Sequence, residues 1–298
     1  MNISQASGRR SNIGSEIFLG VVLLIVGSVT SMIVGTAIAI AMSGSGMPAD
    51  PQHYLMSHPW PGLAVGMGIE ALIGFGGYRW IVRKSEKRNP HELGGPSALK
   101  EFLQGAGVGI AFICFVMLTL SGFGVYTASG ISANSGILLG LMLGLGAAFL
   151  EEPVFRGIML RLLDKRYGTM IAISCVSIVF GLIHTANGFV TGEFSYWGAT
   201  AIVVEAGVLL SAAYYFTRRL WFPIGLHAAW NFSLGGIFGL RVSGVDPVQG
   251  LIQGSLLGPE LLTGGSFGPE GSLVTIASGL SLGIALLLKA KRKGNLGL

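Results

Sequence analysis

Three short patterns set ionisable and amide side chains inside otherwise apolar sequence: Glu151-Glu152-Pro-Val-Phe-Arg156, Phe180-Gly-Leu-Ile-His184 and His227-Ala-Ala-Trp-Asn231. Together they supply a carboxylate to accept a proton, two imidazoles and an amide that can donate to an oxyanion. On one helix Glu152 and Arg156, four residues apart, share a face. Glu151 is rotated about 100° from Glu152. One glutamate can therefore pair with the arginine while the other faces elsewhere. Two carboxylates this close in a low dielectric cannot both ionise freely, which suits one of them to proton transfer. His227 and Asn231 share a face in the same way. A Glu–Arg pair serving structure alone would account for Glu152 and Arg156 but would leave Glu151 without a partner.

These groups must be carried by elements that lie in lipid. Only 11% of the 298 residues are charged, mean hydropathy is +0.67, and 48 residues are glycine. A soluble domain carries roughly a quarter charged residues. Segments of about 20 apolar residues span a bilayer. Eight are expected, near 17–42, 61–82, 105–127, 136–161, 169–190, 199–217, 221–240 and 272–289. The expected fold is all-α, one integral membrane domain over 1–298 with both termini cytoplasmic. Arg9/Arg10, Arg83–Arg88, Arg161–Arg166, Arg218/Arg219 and Lys289–Lys293 all fall on one side of such a bundle, and basic loops stay cytoplasmic. That placement explains the net charge of +5 without a nucleic-acid partner.

An ionisable group at a helix centre costs at least about 2.5–3.5 kcal/mol on insertion scales, so each needs a reason. Prolines in spans are tolerated where neighbours satisfy the freed backbone, and Pro153 is expected to kink its helix beside the glutamates. Glu70 and Glu205 are expected to be satisfied within the bundle, or else to mark an ion path. Arg79 is expected to snorkel. Gly105, Gly107, Gly109, Gly140, Gly144 and Gly146 suit close helix packing. Cys114 and Cys175 read as small core residues, and Trp197, Trp221 and Trp230 include expected interfacial anchors. His53, His58 and His91 fall in expected loops. Residues 43–60 and 241–271, with Gly258-Pro-Glu260 repeated at 268–270, read as external loops. Residues 96–104 read as a segment along the cytoplasmic interface. Counted at 1.5 Å per residue, Glu151 lies about 15 Å and Asn231 about 13 Å from the cytoplasmic helix ends. A straight span from Thr169 sets His184 about 22 Å deep, out of line with both.

The ordered set, Glu-Glu-x-x-x-Arg, Phe-x-x-x-His and His-x-x-x-Asn on three apolar spans, resembles the CPBP family. These are the CAAX-processing and bacteriocin-processing (Abi) intramembrane peptidases, which include the type II CAAX prenyl endopeptidases. The resemblance is close over 150–231, with a core family region of about 136–240. It implies an endopeptidase in which Glu151, helped by His184, activates water. His227 and Asn231 would stabilise the oxyanion, with Glu152 and Arg156 in support. It also implies an alternative in which Glu151, His184 and His227 hold zinc; no cofactor is favoured. The implied partners are the lipid bilayer and a peptide or lipidated, prenylated protein substrate. Eight compact spans without a recognisable organelle signal fit a prokaryotic plasma membrane, and the site is expected to open to the cytoplasm. The competing classes are a proton-coupled transporter, which predicts pseudo-repeated halves not evident here, and a non-catalytic scaffold or immunity protein.

Overall fold

A computed structural model describes residues 13–43, 61–245 and 249–296. Arg9, Arg10, His53, His58 and nearly all of the 43–60 loop lie outside them. Each of the eight expected spans coincides with a helix. In chain order these are α1 (Ile13–Ser43), α2 (Gly62–Ile81), α3 (Ala98–Gly122), α4 (Gly136–Tyr167), α5 (Thr169–His184), α6 (Tyr196–Thr217), α7 (Trp221–Asn231) and α8 (Leu273–Arg292). Five of them, α1, α3, α4, α6 and α8, are long and apolar enough to cross a membrane. The other three fall short of that standard. Helix α5 has 16 residues, α7 has 11, and α2, though 20 long, carries Glu70 and Arg79 among its glycines.

Close approach of the helices depends on missing side chains. A Cβ on Gly144 of α4 would lie 2.4 Å from the Ala228 carbonyl of α7. On Gly140 it would meet Gly236, and on Gly105 and Gly109 of α3 the α7 backbone at 2.1 and 2.5 Å. Gly146 abuts Met67, whereas Gly107 has open space. Five of the six expected packing glycines are thus contact points, and α7 is held between α3 and α4. Around it Phe155, Phe180, Tyr214 and Trp230 form a fully packed core. Cys175 departs from expectation: it is exposed, and Cys114 is half-buried.

The basic residues meet at one end of the bundle. Arg161 donates to Glu86 (Nη1, 2.8 Å), and Arg88 binds Glu92 through both terminal nitrogens at 2.8 and 2.9 Å. Arg218 donates to Asp164 (2.9 Å) and to the Asn295 carbonyl (2.6 Å), and Arg219 to Glu101 (2.7 Å). Three of the five basic clusters are joined here, and Lys293 of a fourth donates to the Phe216 carbonyl beside them (3.3 Å), so the single-sidedness expected from the sequence is a physical contact. Residues 96–104 are not a separate interfacial piece. They open α3, where Ser97 and Arg219 both donate to Glu101.

The opposite end corrects the reading of 241–271 as plain loop. Strand β1 (Tyr126–Ile131) pairs antiparallel with β2 (Ile252–Leu256), with an irregularity at Ala128/Gly130. Phe267 and Glu270 are buried there. Two short strands are the exception in a helical fold.

Burial alone would raise Glu86 and Glu92, but the arginine hydrogen bonds outweigh it and hold both below the ordinary carboxylate range. A carboxyl lowered on folding contributes stability above its unfolded value, near 4.5, and loses it as pH falls through the folded value. Melting in detergent should therefore show wild type ahead of Glu86→Gln at pH 7, with the gap narrowing as the pH falls below the unfolded value. Separately, Gly144→Val should cost about 1–3 kcal/mol by overpacking, while Gly107→Ala should be neutral or stabilising by about 0.5–1 kcal/mol.

Candidate active site

The site is assembled from α4, α5 and α7. Pro153 has no N–H to offer the carbonyl of Phe149, four residues back. The chain answers by widening into a π-helical stretch, Pro153–Leu160, before resuming at Arg161. The Phe149 carbonyl lies against Gly74 of α2, where any Cβ would come within 2.4 Å. The expected kink is thus a π-bulge, a feature that often accompanies functional sites.

Gly168 ends α4 and begins α5 at φ +83°, ψ 167°, a conformation open essentially to glycine alone. Glu151 lies 17 residues before this turn and His184 16 after it. At 1.5 Å per residue both stand about 25 Å from it, at one height. The apparent excess depth of His184 came from taking Arg161 as the end of α4. Arg161 is buried and the helix runs on to Tyr167.

The expected pairing of Glu152 is present and extended. Glu152 Oε1 accepts from Arg156 Nη1 at 2.9 Å and from His227 Nδ1 at 2.8 Å. Glu152 and Arg156 are fully buried. Arg156 also donates to the Ala206 carbonyl (3.4 Å), and its guanidinium lies 4.5 Å from the centre of the Phe180 ring. The His184 ring donates from Nδ1 to the Phe180 carbonyl at 2.7 Å. Each histidine thus has Nδ1 engaged and Nε2 remaining.

Glu151, His184, His227 and Asn231 line one cavity of about 430 Å³. Glu151 Oε2 is shielded and without a hydrogen-bond partner among the described residues. All four expected central residues are therefore brought together. Glu152 and Arg156 stand behind His227 rather than in the cavity lining. Asn187 and Ser243 also line the cavity and had not been expected. Asn187 could have been suspected, since it follows His184 by three residues in a polar stretch. The short helix Asn187–Thr191 and the loop that carries Ser243 come from the end opposite the basic clusters, whereas access had been expected from the basic side.

Glu70 meets its expectation: it accepts from Ser28 Oγ at 3.2 Å. Glu205 does not, because neither oxygen has a partner among the described residues and the side chain is fully buried. Trp230 is no interfacial anchor either. It is buried and donates to Glu270 at 2.9 Å.

For zinc, the two free Nε2 atoms and Glu151 Oε2 are donors of suitable chemistry, and each Nδ1 partner is the kind that orients a metal-binding ring. Among the described residues, however, no three His, Cys, Asp or Glu side chains converge closely enough to hold a metal ion. The donors as placed do not fit zinc, and no step below passes through a metal.

Residues 133–233 match the family model for Type II CAAX prenyl endopeptidase Rce1-like proteins. The match runs from just before α4 to just past Asn231, so it takes in the helices that build the cavity. No curated protein and no solved structure matches the chain.

Truncating Arg156 would leave the Glu152 charge buried with only His227. Arg156→Ala should destabilise the fold by about 3–5 kcal/mol. Arg219→Ala, which breaks the partly exposed pair with Glu101, should cost about 0–1 kcal/mol. Thermal melts of the two variants in detergent give the comparison.

Proposed function

We propose that this chain is an intramembrane endopeptidase in which Glu151 activates water. The observation that carries this reading is the meeting of Glu151, His184, His227 and Asn231, from three helices, around one cavity. In the proposed reaction water gives its proton to the Glu151 carboxylate as its oxygen attacks the peptide carbonyl. His184, with Nδ1 committed to the Phe180 carbonyl, keeps Nε2 as an acceptor to orient that water. His227 differs because its Nδ1 partner is a carboxylate. A doubly protonated His227 donates from Nδ1 to Glu152 and from Nε2 to the oxyanion, and Asn231 adds an amide N–H. Collapse of the intermediate breaks the C–N bond, and the proton held by Glu151 passes to the leaving amine.

Arg156 and Glu152 act through His227, holding its ring in place. We propose that the basic end faces the cytoplasm, following the positive-inside rule. Substrate then reaches the cavity from the loop end or laterally from lipid. The substrate is a peptide, with a prenylated C-terminal segment as the specific form the family match suggests.

Purified wild type, Glu151→Gln and Asn231→Ala, assayed on farnesylated and plain fluorogenic peptides, test this. Wild type should cleave. Glu151→Gln should show no turnover, and Asn231→Ala should lose about 10²–10³ in kcat, with melting unchanged in both. Chelator should leave wild-type turnover intact. Equal cleavage by wild type and Glu151→Gln would sink the proposal.

A further inference from the structure

The second Gly-Pro-Glu, at 268–270, carries a carboxylate that the proposed reaction does not use. Glu270 is buried at 2% exposure on a turn just before α8. Its Oε1 accepts from Trp230 Nε1 at 2.9 Å, and its Oε2 accepts from the backbone N–H of Ser243. Trp230 is the neighbour of Asn231 and lies three residues after His227, on α7. Ser243 lines the cavity. We infer that Glu270 is a positioning residue that clamps α7 to the loop rimming the cavity. This rests on the peptidase reading for its functional consequence, not for its geometry.

The rim residue needs such a clamp. Ser243 sits at φ +51°, a left-handed conformation uncommon outside glycine, in the tight turn closed by Val242 and Val245. Glu270 holds its N–H. From the other side Asn187 Nδ2 donates to its carbonyl at 2.8 Å, and Asn187 is itself a cavity residue. Both polar groups of one backbone residue are thus fixed by side chains from two other segments.

The mount of Glu270 is rigid. Gly264 is left-handed at φ +78°, and a Cβ there would lie 1.7 Å from the Gly268 carbonyl, so the 264–271 turn is folded back on itself. Trp197 of α6 donates to the Gly271 carbonyl (2.7 Å), Thr275 to the Pro269 carbonyl (2.6 Å), and Gly244 N to the Phe267 carbonyl (2.9 Å). The turn is tied to α6, to α8 and to the rim loop, and the Glu270 side chain carries that anchorage on to α7.

Burial pushes the Glu270 carboxyl up to about 7, against the bonds from Ser243 and Trp230 and the attraction of His227. The ionisable groups facing it are Glu205 on α6 and His227 on α7. Arg241, on the adjoining loop, is directed to Glu193 and the Ser266 carbonyl. Above neutral pH the ionised carboxylate accepts from both donors. Below it one oxygen becomes a hydroxyl, and one of the two N–H groups loses its strong acceptor. Glu270→Gln, which offers a single acceptor at every pH, imitates that protonated form.

The test is hydrogen exchange of the 241–245 segment, together with peptide cleavage, for full-length wild type and Glu270→Gln in detergent between pH 5.5 and 8.5. At pH 8 the segment should exchange roughly tenfold or more faster in the variant than in wild type, with kcat reduced more than KM is changed. Both ratios should shrink towards one at the acid end. Equal exchange at pH 8 overturns the clamp, and so does faster exchange with kcat unaltered. Should Glu270→Gln fail to fold, Trp230→Phe removes one donor and leaves the carboxylate. Exchange at the α7 C-terminal turn is then read in the same way, with the same expected and contradicting results. A wild type that cleaves nothing counts against the peptidase reading alone, since the exchange comparison still decides the clamp.

Discussion

The arrangement depends on one oxygen. Glu152 Oε1 serves Arg156 on its own helix and His227 on another, and all three side chains are out of water. Desolvating two opposite charges costs several kcal/mol each, recovered only where geometry and further hydrogen bonds are good. Here the arginine gains the Ala206 carbonyl and the Phe180 face, and the carboxylate gains an imidazole. The trio is therefore less a source of stability than a constraint. Helices α4 and α7 must stand at one separation and one rotation for it to close. The glycines at their interface allow that separation, since any side chain on Gly144 would strike the α7 backbone.

The same constraint sets two identical side chains in different surroundings. His184 and His227 both present Nε2, but one leans on a carbonyl and the other on a carboxylate. A neutral partner suits a ring that accepts, and an anionic partner suits a ring that donates twice. The widened turns recur nearby. One begins right after Glu152, another right after Asn231, and a third contains Glu205. Each re-aims the residues beyond it by adding length to a turn, an adjustment of backbone hydrogen bonding that leaves the apolar pattern of the helix untouched.

Much of this was legible in the sequence. Apolar runs located the eight helices, and the i, i+4 spacings placed Glu152 with Arg156 and His227 with Asn231. Basic clusters, read as one side, meet at one end of the bundle, where Glu86 and Asp164 join three of them. What could not be read depends on distant segments. His184 was set too deep because Arg161 resembled a helix end. Partners at Glu86, 75 residues earlier, and at Glu92, together with the Gly157 carbonyl, explain why a buried arginine is tolerated there. The β1–β2 ladder joins stretches more than a hundred residues apart, with glycine-rich sequence that carries no alternation to betray it. Trp230 resembled an interfacial anchor until Glu270, forty residues on, supplied its partner.

Hydrolysis by this cavity is the claim on which the functional account rests. The most direct measurement is a single-turnover reaction of excess purified protein with a defined peptide, in which the product masses are determined. One cut is predicted, with fragment masses that sum to the substrate plus one water, and with no adduct on the protein. An intact substrate across both prenylated and plain peptides, from a protein that melts cooperatively, would contradict it.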